Sequence, residues 1–461
     1  MSVSPADLSL VDASAALQAG TLSAAELLDA CLARIAADGP ASFDGAPDAV
    51  NAWVRIYEDD ARAAAAQADE RLAAARDGGE PAGTLCGVPV GLKDLYAVAG
   101  KPLTASSRVD ELHPDEDCAV WARLRAAGMV LVGHLHTHEW AAGGSTDQVG
   151  NPWARHHTAG GSSGGSAAAL GARMVPATTG TDTAGSLRIP SALSGTSTLK
   201  PTRESLPLDG VIPLSVSLDH PGPMGRTLAD CRLLWAGMLG QPVPPSSPGR
   251  LDGVRLAVSP RVDAIPTDPD VVAGLESAVA ATRALGAEIV AVLPPDTELE
   301  VPLTFFELLG AEMVDYHRRY EDRRDLYRPS VRELLELNER RALSAAELAA
   351  HREARVATTD AWTRWFAEHR IDAVLEPTVA VVAPPRGHGY DHFVVPDPYV
   401  LYTYLWDWTG FPVAALPAGL GASSGLPVSV SVISVAGADD RALAIGESLQ
   451  AELGVPVAPL A

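Results

Sequence analysis

Residues 143 to 200 constrain this chain more than any other stretch. They are rich in Gly, Ser, Thr and Ala and carry few charges. Such a composition usually marks a linker. Here it sits in the interior of the sequence and is apolar enough to be buried. A long Gly/Ser segment inside a globular chain is more often a backbone scaffold for a functional site. Within it, Ser166 to Ala172 reads as a helix of small residues that packs tightly against its neighbours.

The surroundings read as α/β. A capping box at Ser23 and Glu26 opens an amphipathic helix through about Ile35, and an Ala/Arg-rich helix covers 59 to 76. Gly87 to Leu92 reads as a short buried strand that delivers Lys93 and Asp94 at its end, and Met129 to Val132 as a second. Val254 to Val258, a helix over Val271 to Leu285, and Glu288 to Leu293 form a βαβ-type unit. Residues 302 to 369 are charged and helical, with a second capping box at Ser344 and Glu347, and suggest a helical insert or lid. Ile371 to Pro377 and Val428 to Val435 read as further strands. No repeat or inter-domain linker appears. The expected architecture is one large α/β domain over residues 1–461, a central mixed sheet covered by helices on both faces, with the insert at 302–369.

Charge narrows the function classes. A formal net charge of -23 argues against phosphate neutralisation of nucleic acids and against anionic membranes. No apolar run reaches membrane-spanning length, and the N-terminal residues do not resemble a secretory signal, so a cytoplasmic location is expected. The four cysteines (Cys31, Cys86, Cys118, Cys231) are scattered and read as reduced, buried thiols. Only three of the 35 basic residues are lysines: Lys93, Lys101 and Lys200. A lysine retained among arginines invites a role that needs proton loss, because guanidinium stays charged in proteins and a buried ammonium need not. Surface survival is the simpler account of Lys101.

Two segments carry the chemistry: Gly160-Gly161-Ser162-Ser163-Gly164-Gly165-Ser166 and Gly180-Thr181-Asp182-Thr183-Ala184-Gly185-Ser186-Leu187-Arg188-Ile189-Pro190. Together with Gly91-Leu92-Lys93-Asp94, they resemble the amidase signature family. The resemblance continues through Leu199-Lys200-Pro201-Thr202, Ser217-Leu218-Asp219-His220-Pro221-Gly222-Pro223, Thr409-Gly410-Phe411-Pro412 and Gly425-Leu426-Pro427-Val428. It implies a Ser–Ser–Lys triad. Lys93 is then the base, Ser162 the bridging serine reached through a cis peptide, and Ser186, 24 residues later, the nucleophile. The chemistry is coherent. A serine hydroxyl needs a neighbouring base, and desolvation favours the neutral, basic form of a buried lysine. The N–H groups of Thr183, Ala184, Gly185 and Ser186 could converge on an oxyanion, worth roughly 3–4 kcal/mol per strong donor in comparable sites. The chain departs from the family pattern at Ala184, where glycine is usual, at Ala159 for a common proline, at His134 for a frequent lysine, and in a short segment between Asp147 and Asn151.

Other readings compete. Ser163 formally completes G-x-S-x-G, which would pair it with a downstream His351, His388 or His392. Ser197-Thr198-Leu199-Lys200 matches S-x-x-K, with Lys200 more simply structural. His134, His136 and His138 follow a short strand, as in some metal-dependent amidohydrolases. Gly160 to Ser166 could cradle a phosphate, but no P-loop lysine accompanies it. Eight aromatics between Tyr390 and Phe411, Phe393 among them, are either core or an apolar pocket wall that Phe305 and Phe306 of the helical insert would join, with Phe305, Tyr404 and Trp406 as the expected pocket residues. Asp182 and Arg188 read as polar support for the loop. The expected function is hydrolysis of a carboxamide through acyl-Ser186. No metal or organic cofactor is expected, nor any nucleic-acid or membrane partner. The substrate is a small-molecule amide and the expected assembly a homodimer. The alternatives are a metal-dependent amidohydrolase, a biosynthetic acyl transferase of the same family, and a glutaminase-like component of an amidotransferase.

Overall fold

A computed structural model of the chain describes residues 4–39, 41–244, 246, 248–295, 301–392 and 397–459. Its centre is a mixed sheet of eleven strands flanked by helices. The strands are β1 (Trp53–Ile56), β2 (Pro89–Lys93), β3 (Val130–Leu135), β4 (Ala177–Asp182), β5 (Ser197–Lys200), β6 (His220–Gly225), β7 (Arg255–Val258), β8 (Glu288–Val290), β9 (Ala373–Pro377), β10 (Val413–Leu420) and β11 (Pro427–Ile433). Their spatial order is β1-β3-β2-β4-β6-β5-β10-β11-β9-β7-β8. β2 runs parallel to β3 and β4, and β7 runs parallel to β8 and β9. The remaining pairs are antiparallel. Among the described residues no helix is long and apolar enough to cross a membrane.

Several strands differ from the sequence expectation. β4, with sequence ATTGTD, runs inside the Gly/Ser/Thr stretch, and β6, with sequence HPGPMG, contains two prolines. Both are buried on every residue, so neither shows the alternation that reveals a half-exposed strand. Pro221 and Pro223 are two residues apart, so their missing N–H groups fall on one edge of β6. β5 joins β6 only at Met224 and Gly225, beyond both prolines.

The small-residue stretch is buried because its hydroxyls and amides find partners. Ser166 Oγ donates to the Thr179 carbonyl at 2.8 Å, Thr198 Oγ1 to that of Pro223 at 2.8 Å, and Asn151 Nδ2 to those of Thr158 and Leu193 at 3.0 and 2.8 Å. Each bond removes the penalty of a buried polar group. Small side chains also let the Gly164–Gly171 helix lie close to the sheet: a Cβ on Gly165 would fall 2.6 Å from the His136 backbone. The four cysteines are free and buried.

The capping boxes at Ser23/Glu26 and Ser344/Glu347 are both formed. The segment from 301 to 369 folds as three α-helices, Val301–His317, Pro329–Arg341 and Ala345–His369, joined by a 3-10 stretch and a short loop.

Candidate active site

β2 and β4 are parallel neighbours, so the residues at their C-terminal ends emerge side by side. β2 ends at Lys93 and β4 at Asp182. The serine doublet reaches the same place just ahead of the Gly164–Gly171 helix. Lys93 is fully buried, and its Nζ donates to Ser162 Oγ at 2.8 Å and to Thr181 Oγ1 at 2.8 Å. The Gly161–Ser162 peptide is cis. The Ser163 N–H donates to the Ser186 carbonyl at 3.3 Å, which sets the doublet against the loop after β4.

Burial pushes the Lys93 ammonium down to about 7, against the opposing charges of Asp219 and Asp182. Asp219 is the acidic counterpart. Burial pushes its carboxyl up to about 7, opposed by hydrogen bonds from Thr183, Ser215 and Leu214. Thr183 Oγ1 donates to Asp219 Oδ1 at 2.5 Å, so this carboxyl also fixes the start of the 183–186 loop.

Asp182 and Arg188 fold that loop back on itself. Asp182 accepts from the Gly185 and Leu187 N–H groups and from Arg188 Nε at 2.8 Å. Burial alone would raise the Asp182 carboxyl, but the charge and hydrogen bonds of Arg188 hold it below the usual carboxylate range. Arg188 also donates to Asp407 Oδ2 at 2.6 Å and to the Thr403 carbonyl at 3.0 Å. Gly185 sits at φ +129, in the region that favours glycine, and a Cβ there would meet Thr403 Oγ1 at 2.5 Å. Ala184 is not among the residues with positive φ, so its methyl carries no such strain and instead lines the cavity.

That cavity, about 760 Å³, is bounded by Ser186, Ala184 and Ile189 on the loop side. Ser186 is only 5% exposed and lies on its wall. Of the three expected pocket aromatics, Tyr404 lines the cavity. Phe305 and Trp406 do not. Phe305 is fully buried behind the wall, 5.8 Å from Tyr404 and 6.2 Å from Trp408 between ring centroids, and its neighbour Phe306 takes the cavity side of the helix. Trp406 packs edge-on against Trp362 at 5.0 Å, and its Nε1 donates to Glu376. Phe393 lies outside the described residues.

The other candidates are engaged elsewhere. Ser163 Oγ donates to the Thr181 carbonyl at 3.3 Å, while His351 bonds Glu307, His388 bonds Asp391 and His392 bonds Glu333. His134 lies between Tyr57 OH at 2.8 Å and the Tyr96 carbonyl at 3.0 Å. His136 lies between Ser106 Oγ and the Ser42 carbonyl, both at 3.1 Å. His138 Nδ1 bonds the Ser145 carbonyl. Burial lowers all three imidazoles, His136 and His138 to about 4. Among the described residues no three His, Cys, Asp or Glu side chains form a ligating group. Lys200 is buried and bonds the Pro201 carbonyl at 3.0 Å, and Lys101 pairs with Asp60 near the surface.

Sequence reasoning gave no role to Thr181, Asp219 or Asp407. Asp407 had a visible signal, as the lone acid in the aromatic run from Tyr399 to Phe411. Asp219 lies within the Ser217–Pro223 motif, but its proximity to Lys93 and Thr183 depends on β6 lying beside β4.

The sequence model of the Amidase family matches residues 26–443. An amidase of Pseudomonas putida is 35% identical over 89% of each chain. A glutamyl-tRNA(Gln) amidotransferase subunit of Roseiflexus sp. (strain RS-1) is 34% identical over 96% of each. Among solved structures, an amidase has a TM-score of 0.84 at 28% identity, over 97% of this chain and 100% of that one. The peptide amidase of Stenotrophomonas maltophilia has a TM-score of 0.77 at 25% identity, over 98% and 99% of the two chains. The chain belongs to the amidase signature family of enzymes that hydrolyse amide C–N bonds.

Proposed function

We propose that this enzyme cleaves a carboxamide through an acyl-Ser186 intermediate, with Ser162 and Lys93 as its proton relay. The observation that carries the reading is the 2.8 Å contact between the buried Lys93 Nζ and Ser162 Oγ, beside a loop whose Ser186 lines the cavity. Neutral Lys93 takes the Ser162 proton while Ser162 takes that of Ser186. Ser186 Oγ then attacks the carbonyl carbon. The negative charge on the carbonyl oxygen meets the N–H groups of Thr183, Ala184 and Ser186. That of Gly185 already serves Asp182. As the C–N bond breaks, the relayed proton returns to the leaving nitrogen. Water repeats the sequence on the acyl-enzyme and releases the carboxylic acid.

Labelling with a fluorophosphonate followed by peptide mapping tests this. The label is expected on Ser186 and is absent in Lys93→Ala. A label on Ser163 would overturn the assignment. The similarity to glutamyl-tRNA(Gln) amidotransferase sequences supports a second reading, a glutaminase-like component of a larger enzyme. Glutamine hydrolysis that depends on a second protein would favour it.

A further inference from the structure

The cavity beside Ser186 has a composition of its own. The Val301–His317 and Pro329–Arg341 helices line it with Leu303, Phe306, Leu309, Leu334 and Leu337. Leu303 is 66% exposed, Leu337 45% and Phe306 38%, so this apolar wall continues out to solvent. Isolated exposed leucines are ordinary, but a contiguous set at a cavity mouth marks a surface that is covered in use.

The charged side chains on the wall already have partners. Glu307 accepts from Arg341 Nε at 2.8 Å and bonds His351 Nε2 at 2.7 Å. Arg261 stands 3.6 Å from Glu376, donates to the Leu401 carbonyl, and lies over the rings of Tyr402 and Tyr404. Asp397 accepts from the Tyr399 N–H at 2.9 Å, and burial pushes its carboxyl up to about 6. A zwitterion such as glutamine would have to compete with these partners to be held. An apolar chain has only to displace water.

We infer that the acyl side of this cavity takes uncharged amides with an extended apolar acyl group, its chain running from Ser186 outward between the Val301–His317 and Pro329–Arg341 helices. This rests on the acyl-Ser186 reading above. At about 760 Å³ the space lies in the upper part of the roughly 300–1,000 Å³ range of small-molecule sites. Each buried methylene contributes about 0.8 kcal/mol, equivalent to roughly fourfold in kcat/KM.

The test is kcat/KM for acetamide, butyramide, hexanamide, heptanamide and octanamide, alongside L-glutamine and 6-aminohexanamide, the cationic counterpart of heptanamide. A rise approaching fourfold per methylene is expected, with glutamine and 6-aminohexanamide at least tenfold below the apolar amides of similar length. Leu337→Asp and Leu303→Asp, at exposed helix positions that tolerate a charge, should flatten the chain-length dependence. A flat series, or a cationic amide equal to its apolar counterpart, overturns the inference. Fluorophosphonate labelling in the same preparation separates the two failures. Label on Ser186 with a flat series sinks the substrate class alone. No label and no amide turnover sinks the catalytic reading and this inference with it.

Discussion

Arg188 Nη2 lies 2.6 Å from Asp407 Oδ2, joining the loop after β4 to a helix 219 residues further along the chain. Both side chains are fully buried, and the same guanidinium is forked onto Asp182. One cation thus faces two carboxylates. Burial and the charge of Asp182 push the Asp407 carboxyl upward, while Arg188 opposes both. The 183–186 loop therefore takes its shape from a buried ionic cluster as well as from its own turn.

Removing Arg188 should be costly. Arg188→Met leaves two carboxylates buried without their cation, a change that typically costs about 3–5 kcal/mol. Urea denaturation should register a loss of that order, together with reduced turnover. Arg188→Lys should not restore either, because an ammonium lacks the planar fork with which one guanidinium pairs bidentately with Asp182 and still reaches Asp407. A variant as stable as the parent would show that the cluster is unimportant to folding.

The two serines of the competing motifs are separable. Ser186→Ala should lower kcat by about 10⁴-fold or more, as removal of a nucleophile does elsewhere. Ser163→Ala removes the two long hydrogen bonds that Ser163 Oγ exchanges with the Thr181 backbone, so it should keep most of its turnover and lose about 1 kcal/mol of stability. The reverse pattern would transfer the nucleophile to Ser163.

The pH profile should report Lys93. Its base form is neutral and its pKa is pushed down to about 7, so kcat/KM should rise with pH through about 7 and level off above. The sign for stability is the same. Between about 7 and the usual lysine range the unfolded chain binds the proton that the folded chain has lost, so this site favours folding increasingly as pH rises through that window. Below about 7 both states are protonated and the full cost of burying the ammonium remains.

Asp219 raises the Lys93 pKa by its charge and titrates in the same range, so the observed midpoint belongs to the pair. Asp219→Asn removes that charge and should move the acid limb of the profile to lower pH. A limb that stays in place, or moves upward, would separate Asp219 from the lysine.

Dialysis against a strong chelator should leave amide hydrolysis unchanged, since both ring nitrogens of His134 and of His136 are engaged with hydroxyls and carbonyls. Loss of activity that zinc restores would return these imidazoles to the chemistry.

The features legible in the chain before folding are local ones. Gly-Gly-Ser-Ser-Gly-Gly, the Asp182-to-Arg188 turn and the scarcity of lysine can be read because small residues, turn residues and a retained amine have meaning within a few positions. The capping boxes and the βαβ unit are readable for the same reason. Other features exist only once the chain has packed. β4 and β6 carry no alternation because they are buried throughout. Phe306 rather than Phe305 reaches the cavity because a helix turns its neighbours apart, and no local rule says which face the cavity takes. Asp219 reaches Thr183, and Asp407 reaches Arg188, only after distant strands and helices have come together. Chain-local physics sets which groups are available, and long-range packing sets which of them meet.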